Sequence, residues 1–151
     1  MVLFAVDLSE PRALTDAVAA FADRLGEPLT VLHVGTALSG AMPMASLGGF
    51  DDAGLLLYDP ALRHDLEAAE ENALAAFVRE RFARPVKMLS RDGDASYTVV
   101  EEAERLGAAF IAVGHRERGL LDGLLSGSTA ARVVKHAPCP VVVFPFGQDA
   151  P

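Results

Sequence analysis

The sequence predicts a single-domain α/β fold, in which five parallel strands form one sheet between two layers of helices, a three-layer α/β/α sandwich. Short apolar runs alternate with amphipathic helical segments along the chain. Strands that alternate with helices form right-handed βαβ units, and the helices then cover both faces of a parallel sheet. The strand runs are almost wholly apolar, as expected when both faces of the sheet are buried.

The first half of the chain predicts two strands and two helices. The strands are expected at Val2–Val6 and at residues 29–34. Ser9 is a candidate N-cap of the first helix, and Pro11 suits its first turn. Both helices have an apolar face at helical spacing. These faces consist of Leu14, Val18, Phe21 and Leu25 in the first helix, and of Leu62, Leu66, Ala69, Ala73 and Phe77 in a long helix that begins at Pro60.

A segment without periodicity, residues 36–58, separates the second strand from the long helix. It is rich in Gly, Ala, Met and Ser, and a loop of this length in a compact domain is usually functional or mobile. Because it follows a strand, we expect it to lie over the carboxyl ends of the strands. We therefore predict a flap that becomes ordered when a ligand or partner binds.

The second half of the chain predicts three strands and two helices. The strands are expected at residues 86–89, 109–113 and 140–144, and the last helix ends at His136. Lys87 interrupts the first of these apolar runs, which suits a strand at the edge of the sheet. A turn at residues 91–94 leads into a helix with one apolar side and a terminal glycine. This helix is expected to begin at Ala95 and to stop at Gly107, and its apolar side consists of Val99, Ala103 and Leu106.

The composition indicates one soluble domain. The chain has 151 residues, of which 51% are hydrophobic and 23% charged, so it can bury a sizeable core. Its net charge of −8 repels nucleic acid and acidic membrane surfaces, and both are therefore excluded as partners. No apolar run approaches the ~20 residues that a membrane helix needs, and the first residues lack a signal-peptide pattern. A cytoplasmic location is the expectation.

The residues that most often carry catalysis or bind metals are sparse. The single cysteine, Cys139, precedes an apolar strand and is expected to be a small core residue. The four histidines have no metal-ligand spacing. Ser9 and Ser128 have no evident His–Asp partners in the sequence. We therefore predict no catalytic residue and no metal site.

One segment points to phosphate binding. Gly114 follows the fourth predicted strand, and Gly127, Ser128 and Thr129 open the last helix. A helix start carries unpaired N–H groups and a partial positive charge, so it binds anions when small residues let them approach. The same residues also have a simpler interpretation, because glycines let the chain turn and a Ser-Thr pair caps a helix.

Three other phosphate-related patterns are absent. There is no GxGxxG motif after the first strand and no GxxxxGK[ST] motif anywhere in the chain. A phospho-acceptor receiver domain would need acidic residues at two strand ends and a lysine near the last strand. Only Asp7 fits that requirement.

A different pattern is formed by five segments: 5–11 (AVDLSEP), 32–34 (LHV), 93–95 (GDA), 107–114 (GAAFIAVG) and 136–143 (HAPCPVVV). Through these segments the chain resembles the universal stress protein family, over its whole length apart from residues 36–58. This resemblance implies an adenine-nucleotide-α-hydrolase-like fold with strand order 3-2-1-4-5. The expected domain spans residues 1–146, and residues 147–151 form a C-terminal tail.

Family members that bind ATP carry the pattern G-2x-G-9x-G-[S/T]. Gly114, Gly127 and Ser128 match it with the correct spacing, but Glu117 replaces the second glycine. The resemblance implies an adenine side and a phosphate side for the site. The adenine side would consist of Ala5, Val6, Asp7 and Val34, and the ribose and phosphate side of Gly114, Gly127, Ser128 and Thr129, beside Val113 and Arg116. Asp7 would accept a hydrogen bond from the adenine amino group, or it would simply form the turn.

Glu117 bears on whether a nucleotide binds. Its charge would oppose that of a phosphate, but Arg116 and Arg118 flank it and suit phosphate recognition. The Glu117 carboxylate could instead point to solvent, or hold a divalent cation such as Mg²⁺ that bridges to phosphate.

The sequence therefore favours a cytoplasmic stress-response protein that binds ATP or a related adenine nucleotide and acts as a dimeric sensor or regulator. Two alternatives stay open. One is a nucleotide-free protein-interaction module of the same fold. The other is a slow ATPase, for which Glu117 is the only candidate base. We expect a homodimer through strand 140–144, because an apolar edge strand invites pairing, and an unidentified protein partner.

Overall fold

The computed structural model describes residues 1–35, 60–116 and 129–147. Within these ranges, strands and helices alternate as expected. The strands are β1 (Val2–Val6), β2 (Leu29–Gly35), β3 (Lys87–Asp92), β4 (Phe110–Arg116) and β5 (Val141–Phe146). The helices are α1 (Arg12–Leu25), α2 (Pro60–Arg81), α3 (Ala95–Leu106) and α4 (Thr129–His136). The flap predicted at residues 36–58 lies outside the described residues.

The five strands form one parallel sheet in the order β3-β2-β1-β4-β5, which confirms the predicted class and strand order. β1 lies at its centre and pairs with β2 on one side and with β4 on the other. Val2, Leu3 and Phe4 of β1 are fully buried. β3 and β5 are the two edges, so the edge position inferred from Lys87 is also confirmed.

Each face of the sheet is covered by two helices. On one face, α1 and α2 pack on β1 and β2 through a cluster that includes Val18 and Phe77. On the other face, α3 and α4 form a second cluster that includes Val99 and Val133. Cys139 packs against this second cluster as a half-buried side chain. The three-layer sandwich follows from the alternation of face along each strand.

The buried face of α2 differs from the predicted one. Phe77 is buried as predicted, but Ala69 and Ala73 are exposed, and Leu74 and Val78 complete the buried face. The inward stripe runs through Glu70, one turn before Leu74, where the carboxylate of Glu70 packs against β2. A charged residue in that stripe broke the apolar pattern, which is why the sequence placed the face incorrectly.

The predicted face of α1 is wrong at its end. Leu25 is exposed, and the buried position in the last turns is Ala22. Leu25 directly precedes Gly26, which ends the helix in the left-handed conformation at φ 67°. The last side chain of the helix therefore points to solvent.

Three strands extend beyond their apolar runs. β3 includes Arg91 and Asp92, which had been expected in a turn, and β4 continues through His115 to Arg116. These polar residues stay in register with the neighbouring strands, because backbone pairing does not depend on an apolar side chain at the rim of the sheet. β5 includes Pro145, whose missing N–H is tolerated in an edge strand.

A charged cluster ties the edge strand β3 to α3. The buried carboxylate of Glu102 accepts hydrogen bonds from Arg91 Nε at 2.8 Å and from Arg105 Nη2 at 2.5 Å. Burial alone would raise the pKa of Glu102, but the hydrogen bonds from Arg105 and Arg91 outweigh burial and hold this pKa below its usual range.

Among the helices of the described ranges, none combines the length and the apolar character that a membrane-spanning helix requires.

We expect Glu102→Ala to lower the free energy of unfolding by about 2 kcal/mol, because charge-assisted hydrogen bonds between strand and helix are lost. Both arginines are partly exposed and can be rehydrated, which limits the loss. Urea unfolding at pH 7 measures it. Glu104→Ala, at an exposed position on the same helix, should change stability by less than about 0.5 kcal/mol. Equal losses in the two variants would show that the Glu102 cluster adds no stability.

Candidate functional site

The candidate site lies where the carboxyl ends of β1 and β4 meet. In a doubly wound sheet, the crevice at the point where the strand order reverses is the usual place for a ligand. Here the reversal falls between the paired strands β1 and β4. Asp7 follows the last residue of β1, and Gly114 and Arg116 lie at the end of β4. The structure thus brings Asp7 close to Gly114 and Arg116, which the resemblance assigned to the same site although they are distant in sequence.

The turn between β1 and α1 is organised by Asp7. Its Oδ1 accepts hydrogen bonds from the backbone N–H of Ser9 at 2.8 Å and from Ser9 Oγ at 2.5 Å. Asp7 is therefore a turn-forming residue, which is one of the two roles left open by the sequence. Ser9 is not the helix cap that was expected, because the N-cap is Pro11, which makes no side-chain cap bond. The hydroxyl of Ser9 is directed to Asp7 instead.

The same turn contains a buried carboxyl that sequence reasoning missed. Glu10 is only 5% exposed, and its Oε1 accepts the backbone N–H of Asp7 at 2.8 Å. Its Oε2 is buried and has no hydrogen-bond partner among the described residues. A glutamate beside a proline at a helix start looks like an ordinary surface residue, so no local pattern signalled its burial.

Burial raises the pKa of Glu10 to about 7. The N–H of Asp7 favours the ionised carboxylate and lowers the pKa, whereas the negative charge of Asp7 raises it. Since the ordinary value is 4.5, folded Glu10 holds its proton more tightly than the unfolded chain does. Its contribution to stability is therefore present below pH 4.5 and is lost as the pH rises through about 7.

We expect the stability difference between Glu10→Gln and the wild type to change in favour of the variant by about 3 kcal/mol between about pH 4.5 and pH 8. Glutamine resembles the protonated carboxyl in shape but does not titrate. Urea unfolding of both proteins across this range measures the difference. A difference that stays constant with pH would show that Glu10 titrates normally in the folded protein.

Arg116 connects the end of β4 to this turn. Its Nη2 donates a hydrogen bond to Ser9 Oγ at 2.9 Å, across 107 positions of sequence. Its guanidinium also lies 5.5 Å from the ring centre of Phe146, the last residue of β5. Arg116 is exposed, so a cation stands at the rim of the site with its position set by β1, β4 and β5.

Gly114 has a packing role at this position. A Cβ there would lie 3.0 Å from Leu14 Cδ2 and 3.1 Å from Phe146 Cε1. Both distances are shorter than ordinary van der Waals contacts. The glycine lets α1 and β5 approach β4, whether or not a ligand also comes close to its backbone.

The residues expected on the adenine side lie together at the ends of the central strands. Val6 and Val34 are buried and Ala5 is half-buried. Val113, which was expected beside the phosphate side, is also buried. The ends of β1 and β2 are joined by His33, whose Nδ1 lies 3.1 Å from the carbonyl oxygen of Val6. At the end of β2, any side chain at Gly35 would collide with the carboxylate of Glu70.

The phosphate side is described only in part. Thr129 is the exposed first residue of α4. Glu117, Arg118, Gly127 and Ser128 lie outside the described residues, as does residue range 36–58. In the portions of the chain that the structure covers, no group of three or more His, Cys, Asp or Glu side chains is arranged to hold a metal ion. Burial raises the pKa of the Cys139 thiol, which favours the neutral thiol over the nucleophilic thiolate.

The sequence matches a known protein family over nearly its whole length. The sequence model of the universal stress protein family matches residues 1–145. Universal stress protein G of Shigella flexneri is 30% identical over 142 residues, which cover 94% of this chain and 96% of that protein. Universal stress protein Sll1654 of Synechocystis is 37% identical over 75 residues, about half of each chain.

Solved structures share the fold at lower sequence identity. Hypothetical protein MJ0577 matches with a TM-score of 0.68 at 23% identity, over 96% of this chain and 94% of that one. A universal stress protein in complex with cAMP matches with a TM-score of 0.57 at 17% identity, over 95% and 94%. UspA of Lactobacillus plantarum matches with a TM-score of 0.56 at 24% identity, over 95% of each chain. At these identities the likeness shows the fold alone.

Proposed function

Because this chain belongs to the universal stress protein family, we propose that it binds an adenine nucleotide at the carboxyl ends of β1 and β4 and acts in the cytoplasm as a dimeric sensor or regulator. The observation that carries the proposal is the pairing of Asp7 with Arg116 through Ser9. This arrangement presents an exposed acceptor and an exposed cation at one crevice. A nucleotide needs both, an acceptor for its adenine amino group and a cation for its phosphates.

The residues of the crevice suit the two halves of such a ligand. Oδ1 of Asp7 is engaged by Ser9, and Oδ2 is the atom that we assign to the adenine amino group. Arg116 uses Nη2 for Ser9, and its remaining N–H groups are suited to a phosphate oxygen. We assign the ribose and remaining phosphate contacts to Gly114, Gly127, Ser128 and Thr129. A related fold is known in complex with cAMP, which supports an adenine nucleotide but does not select ATP.

One observation favours the nucleotide-free alternative. Asp7 Oδ1, Ser9 Oγ and Arg116 Nη2 already bond with one another without a ligand, and Gly114 is explained by packing alone. A direct test is to heat-denature the purified protein and analyse the supernatant for released nucleotide. A stoichiometric adenine nucleotide supports the proposal. Absence of nucleotide, together with no binding of added ATP, ADP or cAMP, would favour the protein-interaction module.

The position of Glu117 in the phosphate pattern gives a second test. If its charge lies beside the phosphates, the repulsion at about 4 Å falls between ~1 kcal/mol, the value in water, and ~4 kcal/mol, the value at an effective dielectric near 20. For a surface cleft we expect about 1 to 2 kcal/mol. That corresponds to roughly a fivefold to thirtyfold loss of ATP affinity. We therefore expect Glu117→Gly to increase the affinity for ATP by this factor and to leave the affinity for adenosine almost unchanged. Isothermal titration calorimetry of both ligands against both proteins measures the difference.

The same titrations distinguish three roles for Glu117. Equal changes for ATP and adenosine would place it away from the phosphates. Glu117 would help through a bridging cation if the variant binds ATP more weakly than the wild type in the presence of Mg²⁺ and the two proteins bind it equally without Mg²⁺. Release of inorganic phosphate that disappears in Glu117→Gln would favour the slow ATPase.

The dimer that we propose forms through β5. This strand is an edge of the sheet, and its first four residues are apolar and only half-buried. Such an edge pairs readily with a second copy across a two-fold axis. Val142 suits a test because it belongs to neither core cluster of the described residues.

We expect Val142→Glu to convert a dimer into a monomer, because two carboxylates would face each other across the axis while the core stays unchanged. Light scattering at micromolar concentration measures the mass. Val134→Glu is the matched control, since Val134 is 46% exposed on α4, and it should leave the mass unchanged. A wild-type monomer under these conditions would contradict the proposed interface.

A further inference from the structure

We propose that Glu10 is a proton-controlled positioning residue for the turn between β1 and α1, and that its ionisation weakens the binding of anionic ligands at the adjoining crevice. The part about ligands rests on the proposed nucleotide site. The part about the turn does not. Glu10 lies at the base of the turn, directly bonded to the backbone of Asp7 and shielded from solvent.

The buried oxygen Oε2 decides how the carboxyl behaves. When Glu10 is ionised, Oε2 is a negatively charged acceptor without a donor among the described residues, which is a costly state for a buried group. When Glu10 is protonated, that charge is absent and Oε1 still accepts the Asp7 N–H. Ionisation therefore favours a conformation in which the Glu10 side chain leaves its buried site. That movement breaks its hydrogen bond with the Asp7 N–H.

The backbone of the turn makes this bond important. Leu8 has a φ of 70°, a strained conformation that non-glycine residues rarely adopt. It is held between the bond from Asp7 N to Glu10 and the bonds from Ser9 to Asp7 Oδ1. Ser9 in turn holds Arg116. Loss of the first bond is thus transmitted to the acceptor and to the cation that face the crevice.

Charged and titratable groups from three elements lie around the turn. Asp7 is the group whose charge acts on the pKa of Glu10, and its effect is to raise it. On α1, Arg12 lies near Asp16 at 3.9 Å on the exposed side. From β2, His33 is directed to the Val6 carbonyl, and from β4, Arg116 is directed to Ser9 Oγ. No cation in the described ranges is bonded to the Glu10 carboxyl, so ionisation adds a net negative charge at the base of the crevice.

Titration followed by NMR tests the turn directly. We expect the Glu10 carboxyl carbon and the Asp7 and Ser9 amide signals to shift with a common midpoint near pH 7 in the wild type. In Glu10→Gln the amide shifts should be absent, while Glu104→Gln should titrate like the wild type. A Glu10 midpoint below about pH 5, or amide shifts that persist in Glu10→Gln, would overturn the proposal.

Ligand binding tests the consequence for the crevice. cAMP keeps one negative charge between pH 6 and pH 8 and adenosine keeps none, so their comparison isolates the charge of the protein. We expect wild-type affinity for cAMP to fall by roughly fivefold relative to adenosine over this range, the size of a single repulsion across a partly hydrated site. In Glu10→Gln this relative loss should vanish.

The two experiments separate the present inference from the proposed function. If the turn titrates but cAMP and adenosine lose affinity equally, the coupling to anionic ligands is wrong. If neither ligand nor ATP binds at any pH, the nucleotide proposal fails, and the NMR titration alone decides whether Glu10 controls the turn.

Discussion

The pairing of β1 with β2 on one side and with β4 on the other is the constraint on which the rest of the molecule depends. It places three fully buried side chains, Val2, Leu3 and Phe4, where both helical layers can pack on them. It also brings the end of the first strand beside the end of the fourth, although more than a hundred residues separate them. The crevice with Asp7 and Arg116 is therefore a product of strand order, and the local sequence around either residue would not create it.

Much of the fold could be predicted, because its signals are local and repeated. Apolar runs with intervening helical periodicity were sufficient for all five strands and four helices, and the order followed from resemblance to a family. The errors occurred where tertiary contacts overrule a local pattern. Glu70 lies in the buried stripe of α2 since it packs on Gly35, and Arg91 and Arg116 belong to strands since their backbones pair with neighbours.

The sequence was sufficient to predict which strand ends form the candidate site, but not the hydrogen bonds that join its residues. The position of Asp7 after β1 was clear from the sequence, and so was its capacity to form a turn. The bond of Ser9 to Arg116 could not be foreseen, because it joins positions 107 residues apart. The burial of Glu10 was equally hidden, since a helix start with a charged residue is usually solvated. Such features depend on how α1 sits on the sheet, which no short motif encodes.

The tight space at Gly114 has a consequence for how this chain would change over evolutionary time. A substitution there must displace Leu14 or Phe146, so selection for stability alone would retain the glycine. Glu117 occupies another glycine position of the same pattern. If only a bound phosphate requires glycine there, selection would not oppose the replacement of that glycine once the ligand is dispensable. Within one motif, some positions would then be retained for folding and others for ligand binding. The presence of Gly114 is therefore weak evidence that a ligand binds, and positions without packing constraints are more informative.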